Sequence, residues 1–213
     1  MKAAAAGQEG VRAERVTVPL PPAPDVARLS FDNGTGRIAL RASDEIDALV
    51  EAEFAGPLPL VWSVDATVHV EYPLGARLLH RPGRGTVRLS AGVPWAVDVH
   101  GGAAGLDADL TGADVRSLAF HAGLAHARIA LGRPRGRRTL RFASVDDLVL
   151  ARPADVPVRI EAIAGIADLR LDDHVPVTRG RGHHDETPGY GDAEDRYLIL
   201  LSAGASSVTV ESR

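Results

Sequence analysis

The stretch Gly180-Arg181-Gly182-His183-His184-Asp185-Glu186 holds the densest set of metal-ligating side chains in the sequence. Two imidazoles beside a carboxylate, His183, His184 and Asp185, are the donor types that Zn²⁺ or Ni²⁺ accept. Neighbouring residues rarely reach one ion with tetrahedral geometry, so the expectation is a solvated Gly/His-rich loop over 176–193 and no metal site or cofactor. His100 and His121 invite a different reading, because they occupy equivalent positions in two similar segments. If those segments stack as adjacent strands, about 4.8 Å apart, the two rings stack as well. His126 follows on the next turn. Arg133, Arg135, Arg137 and Arg138 form the main basic cluster. A phosphate or anionic lipid contact through Arg135, Arg137 and Arg138 is one reading, and a solvated connecting loop is the expected one. Asp146-Asp147 and Asp172-Asp173 offer paired carboxylates for acid–base or Ca²⁺ chemistry. Consecutive strand residues face opposite sides, however, so neither pair aims at one point. Asp168, Arg170 and Asp172 alternate and would share a face, as a carbohydrate-active groove or a plain solvent face would require. No Gly-x-Ser-x-Gly, P-loop or His-Glu-x-x-His occurs, and there is no Cys to serve as nucleophile or thiolate ligand.

The elements that position these residues read as strands. Apolar and polar residues alternate in Leu29-Ser30-Phe31, Arg37 to Arg41, Thr67 to Tyr72 and Thr86 to Leu89. Asn33-Gly34 between two such runs signals a hairpin or tight turn. The segment Asp44 to Phe54 fits a helix through Ile46, Leu49 and Val50. A turn at Ser43 to Asp47 followed by a strand, with Glu51 and Glu53 outward, fits better.

A repeat organises the rest. Val99 to Leu110 aligns with Phe120 to Leu131 at an offset of 21 without a gap, matching His100 with His121, Gly102 with Gly123 and Leu110 with Leu131. Leu140 to Leu150 is a third copy, with Val145-Asp146-Asp147 in place of the small-residue turn. Ile160 to Leu171 and Ile199 to Val210 form a fourth and a fifth at an offset of 39. Each unit is strand, small-residue turn, strand, which cannot bury its apolar face alone and must stack on its neighbours. The fold expected is all-β: a stacked, solenoid-like (β-helix-like) single domain over 26–213, preceded by a flexible segment and Pro-rich bridge over 1–25. An ordinary sandwich or meander is the alternative.

Composition agrees. The chain has 213 residues, 45% hydrophobic but only 4% aromatic, so Ala, Val, Leu and Ile must build the core. Its 22 glycines and 14 prolines favour turns over long helices. Lys2 is its only lysine, and the net charge of −4 does not suit a nucleic-acid binder. No apolar run approaches a membrane helix. The start lacks a signal-peptide apolar region, so a cytoplasmic chain is expected.

The pattern Val97-Asp98-Val99, Gly101-Gly102 and Leu106 to Leu110, then Val115 to Leu118, resembles the C-terminal β-repeat region of actinobacterial LiaF-like proteins. It also resembles the related adhesin-type (toastrack) domains of unknown function. Pro188-Gly189-Tyr190, Asp195-Arg196-Tyr197 and Ser202 to Val210 extend the resemblance across roughly 26–211. It implies a stacked all-β domain without established catalysis, often fused to membrane segments in envelope-stress proteins. The function expected is a non-catalytic scaffold that binds a protein partner or itself, as a homo-oligomer through the edge of its last strand, Ser207 to Glu211. Any envelope association would come through a partner. The alternative is a carbohydrate-active or metal-dependent enzyme on the same stack.

Overall fold

The computed structural model describes residues 10–73, 83–173 and 181–213, and it contains strands and no helix among them. Alternation sets the local structure. In β9 (Ala103–Leu110), Ala103, Leu106, Ala108 and Leu110 are buried while Asp107 and Asp109 face solvent. Such a strand has one apolar side. The chain buries it by wrapping into coils, each with one strand in a first layer, a corner, and a second strand in the opposite layer.

The coils are β2 (Ala27–Phe31) with β3 (Thr35–Ser43), β6 (Thr67–Glu71) with β7 (Arg84–Ser90), and β8 (Trp95–Val99) with β9. The long strands β10 (Val115–Leu131) and β11 (Arg137–Arg152) each bend through a corner and supply both layers. β12 (Val158–Ala162) with β13 (Ile166–Leu171), and β15 (Arg196–Leu201) with β16 (Ala205–Ser212), complete the set. Neighbouring coils pair in parallel. The solenoid-like stack inferred from the repeats is therefore the fold. The 21-residue offset is the true register, since Phe120 pairs with Val99 and Leu131 with Leu110. So is the 39-residue offset, since Ile199 pairs with Ile160 and Val210 with Leu171.

The order along the stack differs from the order along the chain. It runs β6/β7, β2/β3, β8/β9, β10, β11, β15/β16, β12/β13. The first coil in sequence lies second, and the last is inserted between β11 and the fourth repeat. The edge expected at Ser207 to Glu211 is thus absent: β16 pairs with β11 on one side and β13 on the other. The sequence pattern records which units resemble each other, but a long connection lets the chain skip a level. Antiparallel strands close other edges. β4 (Ala48–Ala55) pairs with β7, and β1 (Arg15–Pro19) with β4. β5 (Leu60–Val64) pairs with β6, and β14 (His183–Glu186) with β12. The strand expected after the Ser43 to Asp47 turn is β4. Within the stretch 1–25 expected to be flexible, Val11 bridges Val61, and β1 is a strand that places buried Val18 opposite Val50. Residues 1–9 lie outside the described residues.

Corners need small residues. Gly34 has φ +79°, and a β-carbon there would lie 2.4 Å from the Gly102 carbonyl oxygen. One on Gly101 would lie 2.5 Å from the Asn33 backbone. Asn33-Gly34 is accordingly a corner between layers and not a hairpin, since β2 and β3 do not pair with each other. In the third repeat Ala143-Ser144 form the corner. Val145-Asp146-Asp147, expected at the turn, instead begin the second limb, with Val145 buried.

Inward residues form ladders. Val70, Phe31, Val99, Phe120, Phe142, Leu201 and Ala162 lie one above another. Phe120 and Phe142 stack with centroids 5.6 Å apart. One apolar cluster runs through every coil. The closing motif holds the inserted coil. Tyr197 Oη donates to the Gly132 carbonyl at 2.9 Å, and Asp195 Oδ1 accepts from the Gly136 amide at 2.6 Å. Arg196 donates to the carbonyls of Tyr190, Gly191 and Ala193.

Two outcomes follow. Gly34→Ala is expected to cost at least about 2 kcal/mol, a fall in Tm of roughly 4–8 °C, because strain and clash coincide; an unchanged Tm contradicts the corner packing. Burial, partly offset by the nearby Thr35 hydroxyl, pushes the Tyr72 phenol up to about 12 from its ordinary 10. A raised folded-state value means that the stabilisation is complete below pH 10 and is lost as pH rises toward 12. Tyr72→Phe, which removes a buried hydroxyl without a hydrogen bond, should leave neutral-pH stability unchanged or higher. It should also flatten the alkaline fall by about 1.4 kcal/mol, as chemical denaturation at pH 7 and pH 11 would show.

Candidate functional site

The outer face of the first layer concentrates polar and aromatic side chains at one end of the stack. The outward residues of β5 are Leu60, Trp62 and Val64, opposite Glu71, His69 and Thr67 of β6. Val64 is 42% exposed, while Trp62 is half-buried. The Trp62 and His69 rings stack with centroids 4.9 Å apart and planes 6° apart. Next comes β2. His69 Nδ1 lies 3.0 Å from Asp32 Oδ2, and Ser30 Oγ donates to Asp32 Oδ1 at 2.5 Å. Asn33 Nδ2 donates to Glu71 Oε1 at 2.7 Å. On β8, Asp98 pairs with Arg28 through one oxygen and lies 3.6 Å from His121 Nε2 through the other.

This tier includes His100 and His121, and the stacking expected of them is present: the rings lie 4.7 Å apart with planes 6° apart. His126 is elsewhere, on the second layer, 3.6 Å from Asp147. Ser30, Asp32 and His69 are the three types of a hydrolytic triad in the wrong order. The carboxylate sits between the hydroxyl and the imidazole, so the hydroxyl has no base to take its proton. Ser30 is also buried. What the tier can do is contact. An apolar strip with an aromatic centre, bordered by pre-paired polar groups, is the composition of a recognition surface. Sequence reading missed Trp62, His69 and Asp32 because they lie on three different strands; Asp32 precedes the Asn-Gly turn, but nothing marks its partners.

The other candidates disperse. His183, His184 and Asp185 were expected in a loop, yet they lie on β14. His183 and Asp185 fall on one side, opposite Ala162 and Ile160, and exposed His184 falls on the other. The three do not converge, and no group of three metal-ligating side chains occurs among the described residues. Residues 174–180 of that stretch lie outside the described residues. The basic cluster separates similarly. Arg133 pairs with Asp155, exposed Arg137 lies opposite Arg196, and exposed Arg135 lies in the bend before β11. Arg138 turns inward, 3.7 Å from Asp114, which Arg116 also approaches at 3.1 Å. No common phosphate site results. Asp168 and Arg170 are exposed on β13, but Asp172 leaves their face, with φ +50° and its carboxylate 2.5 Å from buried Arg152. Tyr190 lies under two guanidinium groups, those of Arg159 at 4.6 Å and Arg196 at 5.3 Å. Burial raises its hydroxyl, and the arginines oppose that rise.

The fold is that of a β-solenoid-like domain. No protein-family model matches the chain, and no curated protein matches it. Among solved structures, the chain is similar to one described as a "putative cell adhesion protein" from Clostridium sporogenes ATCC 15579. The TM-score is 0.70 at 15% identity, covering 97% of this chain and 100% of that one. At that identity the likeness establishes the fold. It agrees with the adhesin-type fold that the resemblance implied.

The stacked imidazoles give a measurable prediction. A double-mutant cycle with His100→Ala, His121→Ala and the pair should return a coupling of about 0.5–1 kcal/mol. Additive single effects would show that the rings only coincide in space.

Proposed function

We propose that this chain is a non-catalytic interaction module of the adhesion type, working through the Trp62–His69–Asp32 tier. The observation that carries the reading is the half-buried Trp62 between exposed Val64 and polar groups already paired with one another. A ligand can cover such a surface without desolvating unpaired charge, and Trp is the residue type most often central to a binding interface. The similarity to an adhesion-type structure supports the same class. The finer reading is an envelope-linked role like that of the LiaF-like proteins. In it the chain reaches the envelope through a partner. Self-association through this tier belongs to the same proposal.

Pelleting of the purified chain with envelope preparations tests it. The native chain and Trp62→Phe should pellet, while a Trp62→Ala, His69→Ala double variant of unchanged Tm should remain in solution. Equal pelleting of the double variant would overturn the assignment of the surface. Size exclusion with light scattering decides self-association: the prediction is a concentration-dependent dimer that the same double variant abolishes, and a strict monomer removes that part of the reading.

A further inference from the structure

The outer face of the second layer carries rows of charges that mostly neutralise each other. Arg15 pairs with Glu53, Arg88 with Glu51, and Arg41 with Asp107. Arg41 and Arg88, like charges in register on β3 and β7, are thus each relieved by an acid, whereas a second such pair is not. Arg37 and Arg84 lie directly opposite each other on β3 and β7, two like charges in register, where a cost is expected. Among the described residues neither has a carboxylate partner, and Arg128 on β10 likewise has none. The sequence from Tyr72 to Thr86 contains no acidic residue that could serve Arg84.

These three arginines surround a depression of about 450 Å³, with His126 on its rim. The floor is backbone and small side chains: Ala39, Gly85, Ala104 and Gly105. Gly105 is decisive for the shape. It occupies the outward position between Arg37 on β3 and His126 on β10. A β-carbon there would lie 3.3 Å from Arg37 Cγ, so the Arg37 stem lies across the glycine and over the floor. The one acid at the border, Asp107, is already held by Arg41 at 3.0 Å. The depression therefore combines unpaired guanidinium forks, which suit the oxygens of carboxylate or sulfate groups, with a flat floor. Its volume falls in the range of small-molecule sites and exceeds the need of a bare inorganic anion.

We propose that this depression binds an acidic sugar unit, its carboxylate or sulfate ester gripped by Arg37, Arg84 and Arg128 while the ring lies on the Gly85–Gly105 floor. It lies on the opposite layer from the Trp62 tier and stands independently of that surface. Titration of the ¹⁵N-labelled chain with glucuronate, a sulfated disaccharide, inorganic phosphate and glucose tests it. The expected result is saturable movement of the Gly85 and Gly105 amide resonances with an acidic sugar at about 1 mM or tighter, and none with glucose. Arg37→Ala and Arg128→Ala should each weaken binding at least about tenfold. Arg141→Ala, which removes an exposed arginine from the opposite layer, should leave it within about twofold. No saturation with either acidic sugar, equal loss in Arg141→Ala, or phosphate binding as tightly as the sugars would each overturn the proposal.

Discussion

At the corner between β2 and β3 the chain comes so close to the next coil that the Thr35 amide donates to the Gly102 carbonyl at 2.9 Å. A β-carbon on Gly34 or Gly101 has no room there. This approach of backbone to backbone is the constraint on which the molecule depends. Parallel ladders on both layers hold register only if the corners joining them rise by one strand spacing per coil. Register in turn stacks like on like: Phe120 over Phe142 inside, and His100 over His121 outside. The low aromatic content follows, since each layer of the core is thin and branched aliphatic side chains fill it.

A stack of this kind must end, and open strand edges invite unwanted pairing. Here antiparallel strands and coils out of order cover several of these edges, while β13 keeps a strand partner on one side among the described residues. β4 and β1 extend the second layer beyond β7, β5 covers β6, and β14 covers β12. The last coil is threaded between β11 and the coil preceding it in sequence. Its ties to Gly132 and Gly136 explain the Asp195-Arg196-Tyr197 segment as a staple: Asp195 and Tyr197 reach across coils, while Arg196 holds the turn that precedes it. Burial raises the Tyr197 hydroxyl well above its usual range, so it stays a hydrogen-bond donor even in strongly alkaline solution.

Polar residues on the outer faces follow from the same geometry. Side chains at equivalent positions of successive coils stand in rows, so their charges must alternate along the row or find another relief. The first layer uses paired hydrogen bonds among His69, Asp32 and Ser30, and the second uses Arg–Asp and Arg–Glu pairs. A surface organised this way is flat and largely self-satisfied, which suits contact with another molecule better than activation of a nucleophile.

The repeat, its two offsets, the strand content and the stacking of His100 on His121 were legible in the sequence because each is a local pattern carried by spacing alone. The Asn33-Gly34 turn was visible, but whether it closed a hairpin or turned a corner depended on partners far along the chain. The insertion of β15/β16 and the burial of β16 between two coils were not legible, because units that resemble each other carry no label of their level. The loss of the His183-His184-Asp185 and Arg133–Arg138 constellations has the same origin, since pairing of β14 and β11 sent neighbouring side chains to opposite sides. Trp62, His69 and Asp32 became a site only when three strands aligned them. Sequence alone determined the building block, through the period of two and the small residues at its turns. Tertiary structure decided the order of the blocks and hence which side chains meet, because pairing between coils is set by long-range closure and not by neighbours in the chain.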